Sequence, residues 1–216
     1  NVCVYLTDSK THKKPEAKEA LAPRRPKLVP KRIQPAEKTE FDDMKESLNK
    51  GIQVVSAPQL FETPQELAEK MVDLAEIKPG QTVLEPNAGT GRLIAPIVES
   101  VDTEVLAYEI NQNFCSGLES KFPSYRVRVK RADFLEVTDH QGRYPKIIMN
   151  PPFENGSDIK HIKHAIKFLA PGGRLVALCA NGPRQQRELK PLAENSGGFW
   201  EDLPAGTFKN AGTMVN

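Results

Sequence analysis

The stretch at residues 83–91, which reads V-L-E-P-N-A-G-T-G, constrains the fold of this chain more than any other segment. The residues just before it are apolar and typical of a short buried strand, and those just after it repeat at helical spacing. Gly89 and Gly91 permit a sharp turn between the two elements and let a ligand approach bare backbone. The first N–H groups of the helix have no partner within it. The stretch therefore predicts a strand, a binding loop for a nucleotide-like ligand, and a helix.

The loop differs from the dinucleotide-binding fingerprint, because the third glycine of that pattern would fall at position 94, which is Ile94. A single G-x-G also occurs in ordinary strand-to-helix turns. A second strand, at residues 104–108, ends in Glu109, eighteen residues after Gly91. An acid at about this spacing accepts hydrogen bonds from ribose hydroxyls in doubly wound nucleotide sites. The two features together favour a nucleotide site over a plain turn.

Two further strand ends carry polar groups. The strand at residues 125–130 leads into A-D-F at 132–134, and the strand at 146–149 runs directly into N-P-P-F at 150–153. In an open α/β sheet, ligands bind beyond the carboxyl ends of the strands. We therefore expect these polar groups to meet at one edge of the sheet.

These motifs, in this order, resemble the class I S-adenosylmethionine-dependent methyltransferases that modify a planar amino group. The resemblance covers roughly residues 58–216, and N-P-P-F after a strand is its most specific part. It is closest to the N6-adenine DNA methyltransferases in which the cofactor motif precedes the catalytic one, including small versions from phage and mobile-element genomes. It implies a doubly wound, mostly parallel, seven-stranded Rossmann-like α/β sheet and S-adenosyl-L-methionine as the cofactor.

The end of the chain resembles the closing hairpin of that fold. Residues 199–215 resemble its first strand and the start of its partner, but the sequence stops at Asn216. We therefore expect the last strand to be truncated. Residues 1–7 are apolar enough to form a separate strand or to be the remnant of a longer segment.

The resemblance implies a catalytic role for each residue of N-P-P-F. The Asn150 side-chain oxygen and the Pro151 carbonyl would accept the two hydrogens of the target amine, and Pro152 would stiffen the backbone that holds this carbonyl. Phe153 would stack on the target base, a contact worth about 1–3 kcal/mol. No metal and no strongly shifted general base are expected.

The resemblance also implies the residues that hold the cofactor. Glu109 would bind the ribose, Asp133 the adenine amino group and Phe134 the adenine face. Around the methionine end it places Glu85, near the ammonium group, and the backbone of Asn87, Ala88, Gly89 and Gly91. Taken singly, Glu85 and Asp133 could instead cap loops, and Phe134 could be a core residue.

A segment reading F-E-T-P at residues 61–64 precedes an amphipathic helix. Thr63 is a favourable N-cap residue and Pro64 a favourable first helical residue, so capping is the simpler interpretation. The resemblance adds a second role, because it places Phe61 and Thr63 over the methionine end of the cofactor.

Composition divides the chain into two parts. Residues 1–40 carry a net charge of +5, whereas the whole chain carries +2. We assign residues 1–50 to a basic, proline-rich arm or linker, and residues 51–216 to the methyltransferase domain. The arm is compatible with nucleic-acid binding and equally with a solvated linker.

The cysteines and histidines do not form a metal-binding pattern. Cys3, Cys115 and Cys179 lack C-x-x-C spacing, and His161 and His164 lack a third ligand nearby. The sequence shows no apolar run of membrane-spanning length and no signal peptide, so we expect a cytoplasmic protein without membrane contact.

The resemblance therefore implies methyl transfer to the exocyclic amine of adenine in DNA. The same chemistry on RNA adenine or on a protein glutamine amide is an alternative, and an inactive cofactor-binding subunit for nucleic-acid binding or assembly is another. About 63 residues follow Phe153, and the sheet accounts for most of them. Target specificity is thus expected from loops, from the basic arm or from a partner chain.

Overall fold

The computed structural model describes residues 2–7, 62–138, 143–204 and 206–208, which form one mixed β-sheet with helices on both faces. The strands are β1 (Val2–Thr7), β2 (Thr82–Glu85), β3 (Glu104–Glu109), β4 (Val127–Arg131), β5 (Tyr144–Met149), β6 (Leu169–Cys179) and β7 (Phe199–Asp202). The helices are α1 (Gln65–Ala75), α2 (Ile94–Ser100), α3 (Gln112–Lys121), α4 (Ser157–Ile166), α5 (Pro183–Glu188) and α6 (Lys190–Asn195). Two short 3₁₀ turns lie at Phe134–Glu136 and Glu154–Gly156.

The strand order across the sheet is β4-β3-β2-β5-β6-β1-β7. Strands β2 to β6 run parallel to one another. From β2 the chain adds β3 and then β4 on one side of the sheet, and it then adds β5 and β6 on the other side of β2. The order therefore reverses between the neighbours β2 and β5. This is the topological switch point at which doubly wound folds bind ligands, and the doubly wound prediction is confirmed.

The antiparallel strand near one edge is β1, at the beginning of the sequence. It pairs with β6, from Val2 with Cys179 to Thr7 with Arg174, and on its other side with β7. The expectation of a truncated last strand needs correction, because residues 2–7, which we assigned to the arm, fill this position. A strand placed there pairs the main-chain groups that β6 and β7 would otherwise leave open. The division at residue 50 lies outside the described residues and stays a prediction.

Several element boundaries differ from those expected. The spacing of apolar residues predicts a helix over 159–169. The structure has α4 there, which begins earlier at Ser157 and ends at Ile166. The sequence also predicts one polar helix over 183–194, but the structure has two, since Pro191 lies in the first turn of α6, where its missing N–H is tolerated. A short helix predicted at 40–49 lies outside the described residues.

The strands bury side chains on both faces of the sheet, as parallel sheets covered by helices do. Successive residues alternate between the two sides, so each helical layer covers its own cluster. The side covered by α1, α2 and α3 contains Val83, Val105, Ala107, Ile148, Val176 and Leu178. The side covered by α4 and α6 contains Leu84, Leu106, Ile147, Met149, Leu175 and Ala177.

Two buried cations from the sheet hold the carboxyl end of α1. Lys146 Nζ donates to the Ala75 carbonyl at 2.6 Å, and Arg174 Nη1 donates to the Leu74 carbonyl at 2.9 Å. Arg174 also pairs with the Glu76 carboxylate at 2.8 Å. The last carbonyls of a helix lack helical partners and carry partial negative charge, so cations there are stabilising. Burial, with Arg174 beside it, lowers the pKa of Lys146 to about 8.

We expect Arg174→Met to lower the free energy of unfolding by about 1.5–3 kcal/mol, because it removes charge-assisted hydrogen bonds from a buried helix end. Urea denaturation followed by circular dichroism measures this. Arg128→Met is the matched control, since Arg128 is exposed and pairs only with Glu104 at 3.3 Å among the described residues. Equal stability of the two variants would contradict the assigned role of Arg174.

Candidate active site

The carboxyl ends of β2 and β5 border an open cavity, whose empty space of about 290 Å³ includes part of the solvent at its mouth. Six of the residues that line it were predicted site residues, and they come from three separate segments of the chain. The lining residues are Glu62, Thr63, Glu85, Asn87, Ala88, Gly89, Thr90, Arg92, Leu93 and Asn150. The structure therefore brings together the predicted methionine end of the cofactor site and the first residue of N-P-P-F. Phe61 lies outside the described residues, and its role stays a prediction.

The loop after β2 contains two glycines with positive φ angles, and the reason for glycine differs between the two positions. Gly89 has a φ of +50° and lines the cavity. Gly91 has a φ of +79°, and a Cβ there would lie 2.7 Å from Leu118 Cδ2 and 2.8 Å from Phe122 Cε2. Close packing of the loop against α3 is thus sufficient to explain Gly91. The direct cofactor contact that we expected from Gly91 stays a prediction, because this residue does not line the cavity.

Two buried acceptors belong to residues that line the cavity. Among the described residues, Glu85 Oε2 and Asn87 Oδ1 have no hydrogen-bond partner, and both residues line the cavity. Burial raises the pKa of Glu85 well above its usual range, and the nearby Glu109 carboxylate raises it further. A buried polar atom left unpaired costs about 1–3 kcal/mol. Two of them at one cavity indicate a ligand that donates hydrogen bonds, and a cationic donor fits a carboxylate best.

Glu109 connects the binding loop to the end of β3. Its Oε2 accepts from the Gly89 N–H at 2.8 Å, and its Oε1 accepts from the Asn111 N–H at 2.7 Å. Glu109 does not line the cavity itself. A carboxylate has about four acceptor positions, so two backbone contacts leave capacity for the ribose hydroxyls. The ribose role is compatible with this geometry and stays a prediction.

In the structure, Asp133 caps a turn and Phe134 is a core residue. Asp133 Oδ1 accepts from the Leu135 N–H at 2.9 Å and caps the 3₁₀ turn. Phe134 is 2% exposed, with its ring 5.7 Å from that of Tyr108 and 5.1 Å from that of Phe168. Neither residue lines the cavity, so their predicted contacts with the adenine of the cofactor stay predictions.

Thr63 does not cap α1, and the capping prediction is wrong. The N-cap position is Pro64, with no side-chain capping bond, and the helix begins at Gln65. Thr63 is instead 3% exposed, and its Oγ1 accepts from Asn150 Nδ2 at 3.0 Å. The helix begins one residue later than expected, so the Thr63 hydroxyl is available for a long-range contact. This contact fixes the orientation of the Asn150 carboxamide at the cavity.

The other three residues of N-P-P-F are buried or half-buried. Pro151 is buried, Pro152 is half-buried, and the half-buried Phe153 packs against the core on the α1 side. The chain then turns sharply, with Asn155 at a φ of +54° and Gly156 at +72°. The stacking role of Phe153 stays a prediction.

Four lining residues were not predicted as site residues, namely Glu62, Thr90, Arg92 and Leu93. Glu62 Oε1 accepts from Thr90 Oγ1 at 3.1 Å, and Glu62 Oε2 accepts from the Arg92 guanidinium at 3.0 Å. These bonds connect the segment before α1 to the loop after β2. Ile110, which follows Glu109 at the end of β3, is 58% exposed, although its sequence neighbourhood does not mark it as a surface position.

Among the described residues, no group of three His, Cys, Asp or Glu side chains lies close enough together to hold a metal ion. Cys115 and Cys179 are buried free thiols. Helical spacing predicts His164 on the outer side of α4, but its side chain is half-buried and lies edge-on to Phe134 at 4.9 Å. No helix in the described part of the chain has the length and apolarity to cross a membrane.

The doubly wound sheet, with the antiparallel β1 between β6 and β7, has the class I methyltransferase fold. A solved S-adenosylmethionine-dependent O-methyltransferase from Thermotoga maritima matches with a TM-score of 0.50 and 20% identity, over 73% of this chain and 56% of that one. The profile of the ribosomal RNA adenine dimethylase family matches residues 55–168, just over half of the chain. The chain belongs to this family of S-adenosylmethionine-dependent methyltransferases.

Two curated relatives differ in the activity that their names describe. An rRNA methyltransferase from Streptomyces thermotolerans is 33% identical over 47% of this chain and 33% of its own length. The modification methylase CviBIII from Paramecium bursaria Chlorella virus NC1A is 30% identical over 44% of this chain and 26% of its own length. The chain spans about a third or less of these relatives.

The residues at the cavity fit S-adenosylmethionine, the cofactor of the family. The methionine end of this cofactor carries an ammonium group, which supplies the donors that Glu85 Oε2 and Asn87 Oδ1 lack among the described residues. Glu85, made anionic, would balance the charge of this ammonium group in a buried site. Gly89 lets the cofactor approach the loop backbone.

We expect the affinity for S-adenosylhomocysteine, which carries the same ammonium group, to rise with pH through the raised pKa of Glu85. Burial keeps the carboxyl protonated in the free protein above its usual pKa of about 4.3, and a cationic ligand favours the ionised form. Binding should therefore release a proton. Calorimetry in two buffers of different ionisation enthalpy measures the number released. The Glu85→Gln variant should release none from this position, and equal release by both proteins would contradict the assignment.

Proposed function

We propose that this chain transfers a methyl group from S-adenosylmethionine to the exocyclic amine of adenine in RNA. The observation that carries the proposal is that Asn150 lines the same cavity as the two acceptors Glu85 and Asn87. An acceptor for an amine thus lies close to acceptors suited to the methionine end of the cofactor. Membership of the family supports the choice of adenine and of RNA.

The chemical problem is that the adenine amine is a weak nucleophile, since its lone pair is delocalised into the ring. Asn150 Nδ2 is held by Thr63, so the side-chain oxygen is the group available to accept an amine hydrogen. The Pro151 carbonyl would accept the second hydrogen. Two acceptors draw the nitrogen towards tetrahedral geometry and localise the lone pair. Phe153 would contact the base.

The cofactor, when bound, supplies a methyl group activated by its sulfonium centre. The residues of this chain then act mainly by holding the amine and the methyl donor in the geometry for transfer. Such positioning alone can provide a large part of the rate acceleration. The amine loses its proton only after it has become cationic, so the site needs no strong base.

RNA is the preferred substrate in this proposal, whereas the resemblance based on N-P-P-F favoured DNA over RNA. The family and the rRNA methyltransferase relative support RNA. DNA is the second candidate, because the modification methylase relative has nearly the same identity to this chain. A specificity partner and the role of the basic arm stay proposals.

The test is transfer of labelled methyl from S-adenosylmethionine to ribosomal RNA, to unmethylated DNA and to a protein extract in parallel. Nuclease digestion identifies the product. We expect N6-methylated adenine in the RNA reaction. Label in DNA alone would show that the substrate is DNA and not RNA. Label in protein alone would show that the target is a protein side chain and not adenine. No label, with intact cofactor binding, would indicate an inactive subunit.

We expect Asn150→Ala to reduce methyl transfer by at least 100-fold, as loss of one positioned polar group at a reacting centre does. Its affinity for S-adenosylhomocysteine should change little, because the cofactor acceptors are Glu85 and Asn87. Asn195→Ala is the matched control, since Asn195 is exposed at the end of α6. Transfer by Asn150→Ala at the wild-type rate would refute the catalytic assignment.

A further inference from the structure

A buried histidine lies directly behind the binding loop. His161, on α4, is 6% exposed, and its Nδ1 is 3.1 Å from Asn87 Nδ2. α4 follows the N-P-P-F segment in sequence, whereas Asn87 belongs to the loop after β2. The contact thus connects the substrate side of the site to the cofactor side.

The protonation state of His161 determines the direction of this hydrogen bond. Burial lowers the pKa of His161 to about 4, with the Asp133 carboxylate acting in the opposite direction and His164 lowering it further. The ring is therefore neutral near pH 7. The Asn87 amide nitrogen is a donor only, so the Nδ1 that faces it must be the accepting nitrogen, and the ring proton is on Nε2.

This hydrogen bond also determines which way the Asn87 carboxamide points. The amide nitrogen faces His161, so Oδ1 is on the other branch of the carboxamide, and it has no partner among the described residues. Asn87 lines the cavity. Without an acceptor at His161, the carboxamide could turn over and present its NH₂ group to the ligand, and an NH₂ group repels an ammonium.

We propose that His161 is a positioning residue that holds the Asn87 carboxamide with its oxygen towards the cavity, where this oxygen accepts from the ammonium group of the cofactor. The inference rests on the proposed function, because it takes S-adenosylmethionine as the ligand. It gives α4 a role in cofactor recognition, in addition to the residues of the N-P-P-F and glycine motifs.

His161 also has a packing role that must be separated from this one. Its ring lies 6.4 Å from that of Phe134 at an angle of 28°, so a substitution could disturb the core. His164 provides a matched control on the same helix. It lies 4.9 Å from Phe134, its Nε2 is 3.0 Å from the Val137 carbonyl, and it does not line the cavity.

The test compares two ligands that differ at the methionine end. S-adenosylhomocysteine carries the ammonium group, whereas 5′-methylthioadenosine shares the adenosine and the thioether and lacks the amino-acid end. Calorimetry gives both dissociation constants for the wild type and for His161→Leu, His161→Gln and His164→Leu. Circular dichroism melting verifies that each variant is folded.

We expect His161→Leu to weaken S-adenosylhomocysteine binding about tenfold, the size of one lost hydrogen bond to a charged group. Binding of 5′-methylthioadenosine should change less than twofold. His161→Gln should recover affinity for S-adenosylhomocysteine, because the glutamine oxygen can accept from Asn87 Nδ2. His164→Leu should affect both ligands equally and weakly.

Equal loss of both ligands in His161→Leu would overturn the inference, because it would show a packing role only. Selective loss that His161→Gln does not relieve, or that His164→Leu shares, would overturn it as well, as would a wild type that does not bind S-adenosylhomocysteine. Failure of the proposed function is distinguishable, since it would appear as absence of methyl transfer to RNA while the selectivity between the two ligands persists.

Discussion

The parallel pairing of β2 with β5 determines the position of every other part of the site. Val83 pairs with Lys146 and Leu84 with Ile147, so the two strands end side by side. Glu85 and Asn150 therefore reach the same cavity from segments that are far apart in sequence. Because the order of the sheet reverses at this pair, the loops that follow the two strands diverge and leave an opening between them.

Long-range hydrogen bonds then fix the loops around this opening. Glu109 holds Gly89, Glu62 holds Thr90, Thr63 holds Asn150, and Asn87 contacts His161. Each bond joins a different pair of elements, and none lies within a single helix or hairpin. Side chains held in this way need little reorganisation when a ligand binds, which is the basis of catalysis by positioning. Glu85 Oε2 and Asn87 Oδ1 have no donor among the described residues, and a bound ligand would supply one.

Local pattern was enough to predict the strands β2 to β5, the glycine loop and the polar residues at strand ends. The alternation of apolar residues and the chemistry of glycine act over a few positions, so Glu85, Asn87 and Asn150 could be assigned to one edge of a doubly wound sheet. Thr63 was assigned wrongly because its helix-capping preference is local, while its partner Asn150 is 87 residues away. Residues 2–7 were assigned to the arm for the same reason, since their partners in β6 and β7 lie near the other end of the sequence. The contact of His161 with Asn87 likewise has no signal in the sequence around either residue.

The measurement that tests this account most directly is a crystal structure of the protein with S-adenosylhomocysteine. The account predicts the ammonium group within hydrogen-bond distance, about 2.7–3.2 Å, of Glu85 Oε2 and Asn87 Oδ1, with the thioether sulfur on the side of Asn150. It also predicts the unchanged contacts of Thr63 with Asn150 and of Asn87 with His161. A ligand bound with its amino-acid end away from Glu85, or outside the cavity between β2 and β5, would contradict the account.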